Sequence, residues 1–365
     1  MTDPRIFSLA LAMTPHLGGV LIRQLMAHFG SAQKVYEANL KQLTRIPGIG
    51  EGIARAIVQK EGWKTAEAEL LKLEKTDINL LFYDDPTFPQ RLKSLYDTPV
   101  LLYTRGNVAL NEGRFVGIVG TRKATEYGRN MTEQIVEGLS QQNVTVVSGL
   151  AYGIDIAAHR TALKHQVPTI GVMATGADVI YPAAHTKTAQ EMLELGGVVT
   201  EYPLGTKPDF MRFPARNRII AGLSDAVIVV EAAEKGGALI TAEYANNYNR
   251  DVFAVPGNLS NSYSAGCNRL IRSHKAQIFT GVEDLLESLS WIPSVTDKTT
   301  SAPMPEHFTQ EESQIVALLR QNADMHIDHL TWESQIPAGR LATLLLNLEL
   351  QGYIRALPGK RFALG

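Results

Sequence analysis

The middle of the chain alternates between short apolar runs and longer amphipathic segments. Six runs rich in β-branched residues, most ending at glycine or a polar turn, read RFVGIVG (114–120), VTVVSG (144–149), TIGVMATG (169–176), GVVTEY (197–202), AVIVVEAA (226–233) and DVFAVPG (251–257). Helix-length segments separate them. This alternation predicts a parallel sheet covered by helices on both faces, a Rossmann-like α/β core over residues 81–291. Ligands of such sheets bind beyond the carboxyl ends of the strands.

Residues 1–80 follow a different pattern, in which Gly and Pro breaks separate helical stretches. IPGIGEGIARAIVQ (46–59) predicts a glycine turn between two helices, and TPHLGGVLIRQLMAHF (14–29) repeats it 32 residues upstream with His16 in place of the first glycine. Together they predict a tandem helix-hairpin-helix, or SAM-like, domain. Such a turn can bind a phosphate. Residues 1–85 carry ten basic and ten acidic side chains, so a structural role is equally open.

The C-terminal part of the chain begins after a change of composition. Residues 292–307 are rich in Pro, Ser and Thr and predict a linker. Residues 308–365 show three helical patterns and a hairpin, which predict a winged helix domain. Such domains often place their last helix in DNA, but here that helix carries Arg340 and then mostly leucine. Protein contact or dimerisation is at least as well supported as groove binding.

Composition narrows the class of protein. The formal net charge of −2 gives no overall field for nucleic acid, so any basic surface must be local. Cys267 is the only cysteine, which excludes a disulfide framework and a cysteine zinc site. The N-terminus shows no basic leader, and no run approaches the roughly 20 apolar residues of a membrane helix. We therefore expect a cytoplasmic protein without a membrane partner.

Segments that follow the predicted strands supply candidate binding residues. Gly120 and Thr121 are expected to expose backbone N–H groups at a helix start, with Arg122 adding charge. Asp155 and His159 are interpreted as a helix cap and a packed histidine. No catalytic or metal-binding set is predicted. The candidate set, which includes two residues of SAGCNRLI (264–271), is Gly120, Thr121, Arg122, Lys123, Ser148, Gly149, Tyr152, Arg216, Asn217, Arg218, Lys235, Gly236, Gly237, Asn268 and Arg269.

The spacing of charges favours a string of phosphates as the ligand. Residues 210–224 contain three arginines and no acidic residue, and residues 252–282 contain two arginines, a histidine and a lysine and again no acid. Such windows indicate a one-sided basic surface. Tyr152 and Phe210 offer faces on which bases could stack, whereas ordinary core packing is favoured for Phe213.

Two arginines of FPARNRIIAGLS (213–224) are expected to differ in role. At 100° per residue, Arg216 lies near the direction of the apolar positions and Arg218 points almost oppositely. Arg216 is therefore placed at the helix mouth, over the strand ends, and Arg218 outward toward solvent, a neighbouring acid or a dimer partner. The alternative for Arg216 is an ion pair with Glu201 or Glu231.

Several of these motifs occur together in a specific order. GIVGTR, VSGLAYGID, FPARNRIIAGLSDAVIVVEA, GGALITAEYA, RDVFAVPGN and SAGCNRLI follow one another along residues 80–290. This set resembles the DprA/Smf family, the bacterial DNA-processing proteins of natural transformation. The resemblance implies a homodimer that binds single-stranded DNA without sequence preference. It also implies protection of incoming strands, loading of the RecA recombinase, and action against single-strand-binding protein.

Two positions of the motifs carry specific implications. The family's DNA-contacting arginine in its Gly-Ser/Thr-Arg motif corresponds to Arg122. Family members often have lysine where this chain has Tyr152. The departure removes one phosphate contact and supplies a stacking group in its place.

Two other classes of protein share some of these features. Nucleotide-processing enzymes of the lysine-decarboxylase-like group use a Pro-Gly-Gly-x-Gly-Thr-x-x-Glu loop, and the equivalent stretch here, 235–243, keeps the Gly-Gly pair and Glu243 but has Leu239 and Ile240 for the Gly-Thr. A nucleotide-binding or nucleotide-hydrolysing enzyme therefore remains the alternative, while a binding protein without catalysis or cofactor is favoured. A transcription factor is disfavoured because the last helix of the winged helix domain carries a single arginine and then mostly leucine.

Overall fold

The structure is a computed structural model that describes residues 3–291, 308–322, 324–357 and 360–364. The predicted linker, 292–307, lies outside the described residues. Two units, divided between Leu285 and Leu286, are described separately below. Within the described ranges, no helix has both the length and the apolar character needed to cross a membrane.

The first unit begins with a helical module. Its six helices are α1 (Arg5–Ala12), α2 (Gly19–Phe29), α3 (Ala32–Glu37), α4 (Leu40–Leu43), α5 (Glu51–Val58) and α6 (Trp63–Leu73). The first five enclose an apolar cluster that includes Leu11, Leu25, Val35 and Ile57. The buried residues of α6 belong to a second cluster. The module is all-helical, as the sequence predicts for this region.

The two predicted hairpin turns have matching backbone conformations. Helix α2 starts after Gly18 and helix α5 after Gly50, at corresponding places of the repeat. His16 and Gly48 both have left-handed φ angles, 61° and 85°. Glycine adopts such angles at little cost, and a Cβ at Gly48 would also lie 2.9 Å from Leu21. The upstream turn keeps this conformation with a histidine.

A nine-stranded sheet with its helices makes up the rest of the first unit. The strands are β1 (Ile78–Phe82), β2 (Leu101–Gly106), β3 (Arg114–Val119), β4 (Val144–Ser148), β5 (Thr169–Val172), β6 (Gly197–Thr200), β7 (Ala226–Val229), β8 (Asp251–Ala254) and β9 (Gln277–Ile278). The helices are α7 (Gln90–Lys93), α8 (Glu126–Leu139), α9 (Ile154–Lys164), α10 (Thr186–Glu191), α11 (Arg212–Leu223), α12 (Gly237–Asn247) and α13 (Ala265–Arg272). Helix α14 (Val282–Ser288) contains the division between the two units. All six apolar runs of the sequence are strands, β3–β8.

The strand order is β1-β2-β6-β5-β4-β3-β7-β8-β9. Strands β6 through β9 of this order are parallel, which confirms the Rossmann-like α/β class. The sheet is mixed, however, because β1 and β2 add an antiparallel edge that the sequence did not reveal. Strand β1 also crosses the predicted boundary at residue 80, so the sheet begins slightly before it.

The order reverses direction at β3, and this reversal fixes where a ligand can enter. From β3 the chain moves one way through β4, β5 and β6, and then returns to β7 on the other side of β3 and continues to β8. Right-handed crossovers in opposite directions place α8 and α9 on one face of the sheet and α12 on the other. The loops after β3 and β7 therefore separate, and open a crevice at the carboxyl edge.

The second unit is a winged helix, as predicted. Its helices are α15 (Gln310–Gln321), α16 (Ile327–Ser334) and α17 (Ala338–Leu350), and its strands are β10 (Met325–His326), β11 (Ile354–Leu357) and β12 (Arg361–Leu364). Thr309 and Glu312 form a capping box at the start of α15. Arg340 on the last helix is bound to Glu311 at 3.0 Å, so its charge is already compensated within the unit.

Candidate nucleic-acid interface

A cleft of about 800 Å³ lies at the point where the strand order reverses. We call it the strand-end cleft. Its walls come from the loops after β3 and β7, the first turns of α11 and α12, and α13. Nine of the fifteen candidate residues line it: Gly120, Thr121, Arg122, Arg216, Asn217, Lys235, Gly236, Gly237 and Arg269. Four cations and two acids, Asp155 and Glu234, line the cleft, which is therefore basic.

The loop after β3 does not form the open helix start that the sequence led us to expect. The N–H of Thr121 donates to the carbonyl of Glu231 at 2.7 Å, and α8 begins only at Glu126. The carboxylate of Glu231 accepts from the N–H and the hydroxyl of Thr125, at 2.9 and 2.5 Å. A protein acceptor therefore uses the N–H of Thr121, and the anion site expected at Gly120 and Thr121 loses this donor.

An open helix start lies instead at α12. No side chain caps the helix at its N-cap residue, Gly236. The space beside Gly236 is open, since a Cβ at this position would have no atom within 4 Å. The side chain of Asn217 donates to the carbonyl of Gly237 at 3.1 Å, which positions this turn from α11. Free N–H groups at a helix start attract anions. Lys235 is exposed beside them.

Arg122 and Arg269 extend this basic wall. Arg122 is exposed, with its Cζ 5.4 Å from the centre of the Phe213 ring. Arg269 donates to the carbonyl of Glu234 at 2.8 Å. Among the described residues, no carboxylate forms an ion pair with Arg122, Lys235 or Arg269. These three charges therefore remain available to an anionic ligand.

Arg216 lies beneath the cleft and is only 5% exposed, so its predicted buried direction is confirmed. Its Nη1 donates to the carbonyl of Val172 at the end of β5, and its Nε has no hydrogen-bond partner among the residues that the structure describes. A Cβ on Gly149 would collide with Asp155 and lie 2.6 Å from Nη2 of Arg216, so the two charged groups flank this glycine. Burial raises the pKa of Asp155, and the charge of Arg216 opposes this shift.

Arg218 pairs with Glu201, and its side chain is only 17% exposed. Of the surroundings expected for Arg218, the structure shows the neighbouring acid. The side chain does not face open solvent, because residues of the helical module, among them Arg23, line the same depression. The alternative pairing of Arg216 with Glu201 or Glu231 is wrong, since both carboxylates have other partners.

Three further candidates support the backbone. Ser148 is fully buried and donates to the carbonyl of Ile118 at 2.5 Å. Asn268 exchanges hydrogen bonds with the N–H and carbonyl of Gly257, at 3.2 and 2.9 Å. The carbonyl of Gly149 accepts from His159 Nε2 at 2.6 Å. These residues hold the ends and turns of the strands in place.

His159 is a packed residue, as the sequence indicated. Because a carbonyl can only accept, Nε2 carries the hydrogen, and Nδ1 faces the hydroxyl of Thr169 at 2.7 Å. Burial lowers the pKa of His159 to about 4. The ring is therefore neutral near pH 7 and has no access to the cleft.

Aromatic side chains form a smaller pocket of about 140 Å³ beside the cleft. Arg122, Tyr152, Tyr181 and Phe213 line it. Tyr152 is 51% exposed. Phe213 is half-buried and its ring lies 5.7 Å from that of Tyr181, so the expectation of core packing for Phe213 is wrong. Tyr181 was not among the predicted residues, although its position in the segment that follows β5 could have identified it as a candidate.

The outer rim of the cleft carries another aromatic residue. Phe210 is 82% exposed and lines the cleft just before α11. An exposed phenyl ring next to cationic groups is typical of surfaces that stack bases. Lys123 lies outside the cleft, on an adjoining groove that Tyr152 also lines.

Of the loop on which the enzyme alternative rests, the Gly236-Gly237 pair lines the cleft and Glu243 does not. Glu243 binds Lys275 at 2.8 Å on the exposed side of α12, away from the cleft. Leu239 and Ile240 occupy the first turn of that helix. The residues lining the cleft include hydroxyl groups but no histidine to activate them. No metal-binding cluster occurs in the part of the chain that the structure describes.

Comparison with known proteins gives two family matches. Residues 79–290 match the DNA recombination-mediator protein A family, and residues 299–360 match the DprA winged helix domain. Protein Smf of Synechocystis is 33% identical over 387 residues, covering 97% of each chain.

Two solved structures are similar to this chain. DNA processing protein A of Streptococcus pneumoniae has a TM-score of 0.68 and 34% identity, covering 79% of this chain and 98% of its own. DNA processing protein A of Helicobacter pylori, described for its single-stranded DNA binding mode, has a TM-score of 0.53 and 31% identity, covering 58% and 95%.

Proposed function

The chain belongs to the DNA recombination-mediator protein A family, and from this premise we propose that it is a DNA-processing protein that binds single-stranded DNA in the strand-end cleft. The observation that carries the proposal is the open start of α12 at Gly236, flanked by the unpaired charges of Arg122, Lys235 and Arg269. The single-stranded DNA binding mode described for the Helicobacter pylori relative supports the choice of ligand.

The candidate residues divide into three roles in this proposal. Phosphates are bound by the basic wall, and bases stack on exposed aromatic rings, which requires them to be unpaired. The phosphate-binding group is Arg122, Lys235, Gly236, Gly237 and Arg269, with Lys123 at the edge. The stacking group is Tyr152, Tyr181, Phe210 and Phe213. The group that supports the site from below is Gly120, Thr121, Ser148, Gly149, Arg216, Asn217, Arg218 and Asn268.

The cellular role follows from family membership. We infer that the protein acts in the cytoplasm as a homodimer, shields incoming strands from nucleases, and loads RecA against single-strand-binding protein. A nuclease-protection assay and a strand-exchange assay with RecA and single-strand-binding protein test these steps. Failure of strand exchange with intact DNA binding would remove the RecA role and leave the binding proposal standing.

We further infer that the protein is not an enzyme. The position of Glu243, paired with Lys275 outside the cleft, supports this inference. Incubation with nucleoside monophosphates, followed by chromatography for free base, is expected to show no release. Release that disappears in Glu243→Gln would establish the nucleotide-hydrolysing alternative.

Direct binding tests the proposal. Fluorescence anisotropy with labelled oligo-dT and a duplex of equal length is expected to show strong binding of the single strand and much weaker binding of the duplex. The logarithm of the affinity should fall with the logarithm of salt concentration by about 0.7 per phosphate contacted. Duplex preference, or an affinity that does not respond to salt, would overturn the proposal.

A further inference from the structure

A second basic depression, of about 430 Å³, lies between α8 and α9, and we call it the α8–α9 groove. Glu133 lines it but accepts from Lys164 at 2.6 Å, so its charge is compensated. Four exposed cations line the groove: Arg122, Lys123, Arg129 and Arg160. Among the residues described, none of these four forms an ion pair with a carboxylate. The groove therefore has a surplus of positive charge.

Small residues form the floor of this groove. Ala157 and Thr161 line it from one face of α9, and Gly153 lines it from the N-cap of the same helix, four residues before Ala157. Eight residues of helix span about 12 Å. The groove is therefore an elongated channel with a low floor, in which an extended chain can lie close to the helix.

The groove is continuous with the strand-end cleft. Arg122 lines the cleft, the aromatic pocket and the groove, and Tyr152 lines the pocket and the groove. The ring of Tyr152 packs edge-on against His185 with centroids 4.8 Å apart, yet half of the side chain stays exposed. Tyr152 therefore stands at the junction of the three depressions.

We propose that a single strand bound in the cleft turns at Tyr152 and continues along the α8–α9 groove, where Arg129 and Arg160 contact two further phosphates. This rests on the proposed function. Arg129 donates one N–H to the carbonyl of Ala124 at 2.6 Å, and Arg160 donates one to the hydroxyl of Thr188 at 3.4 Å. Each guanidinium has five N–H donors, so both are held in position with donors to spare.

The test compares the full-length parent with the double variant Arg129→Gln/Arg160→Gln. Glutamine preserves part of the length of each side chain and removes its charge. The matched control is Lys41→Gln/Lys75→Gln, which removes two exposed charges from the helical module, outside the cleft and the groove. Thermal melting of all three proteins should agree within a few degrees, since each groove arginine is exposed. The variant Arg129→Ala/Arg160→Ala repeats the test if the first variant melts early.

Anisotropy with oligo-dT of about 6 and about 20 nucleotides is the readout. With the longer strand, the salt slope of the groove variant should be smaller in magnitude by about 1.4, which is about 0.7 for each of the two phosphates. Over the tenfold range from 1 M to 0.1 M salt, the affinity of the parent should therefore rise about 25-fold more than that of the variant. The short strand, which the cleft alone can hold, should bind parent and variant alike. The control should match the parent with both.

The outcomes separate the two proposals. If the parent binds the long strand and the groove variant has the same slope and affinity as the control, the groove proposal is overturned and the cleft remains. An equal loss of affinity for the short and long strands would also overturn it, because the two arginines would then belong to the cleft. If the parent binds neither strand, the proposed function itself is wrong.

Discussion

Substitution of Arg216 tests whether a buried arginine supports the DNA site without touching DNA. Its guanidinium donates to the carbonyl of Val172 and lies across Gly149 from the carboxyl group of Asp155. Arg216→Met keeps most of the volume and removes the charge. We expect the loss to appear first in folding, because Asp155 is left in a buried site without its cation.

The magnitude follows from the charge separation. A Cβ on Gly149 would lie 2.4 Å from Asp155 Oδ2 and 2.6 Å from Arg216 Nη2, so these two atoms are at most about 5 Å apart. At that distance and an effective dielectric constant of about 20, the attraction between the two charges is about 3 kcal/mol. Breaking a buried pair by removing one partner costs about 3–5 kcal/mol in measured cases. At about 2–4 °C for each kcal/mol in a large domain, the melting temperature should fall by about 10 °C.

The deficit should depend on pH in a defined direction. Burial already raises the pKa of Asp155, and loss of the nearby charge of Arg216 raises it further. A carboxyl group with a raised folded-state pKa holds its proton where the unfolded chain has lost it, so stability falls as pH rises from its ordinary value through the raised one. The variant should therefore be closer to the parent near about pH 5 than near about pH 8.

Urea denaturation of the parent, Arg216→Met, Asp155→Asn and the double variant at both pH values measures this coupling. Asp155→Asn should restore at least half of the stability lost in Arg216→Met, since no buried charge then remains unpaired. The refolded double variant should bind oligo-dT within a few-fold of the parent. Equal deficits at the two pH values, or no recovery in the double variant, would refute the role given to this pair.

Three further predictions concern the cleft and the domain arrangement. Arg122→Ala should lower the affinity for oligo-dT by at least tenfold, as expected for a charged hydrogen bond worth about 1.5–3 kcal/mol, and leave the melting temperature unchanged; unaltered anisotropy titrations would exclude the contact. Gly236→Asp should slightly raise the melting temperature, because aspartate caps α12, and should weaken strand binding, because its charge repels the phosphate. Tighter binding by this variant would contradict the site. A fragment of residues 1–291 should retain oligo-dT binding in the same titration, and binding by residues 305–365 as tight as by the whole chain would assign the function to the winged helix.

Much of the fold could be predicted because its signals are local. Runs such as AVIVVEAA are strands because β-branched residues fit a pleated, buried ladder, and their alternation with helices leads directly to a parallel sheet. The edge strands β1 and β2 were not predicted. For β1, Ile78–Phe82, the burial pattern alternates and the segment lies directly after the helical module. The strand-end rule brought nine of the fifteen candidate residues to one cleft, because that rule concerns topology and needs no side-chain detail.

The sequence by itself determined which segments reach the carboxyl edge of the sheet and that acid-free basic windows lie there. Only the tertiary structure decided which of those groups stay free. The N–H of Thr121 is taken by the carbonyl of Glu231, whereas the equivalent donors at Gly236 are open. Arg218 is neutralised by Glu201, while Arg122 is not paired with any carboxylate of the described chain. The physical reason is that a donor or a charge is available only if no partner lies near it, and these partners come from parts of the chain that are far apart in sequence.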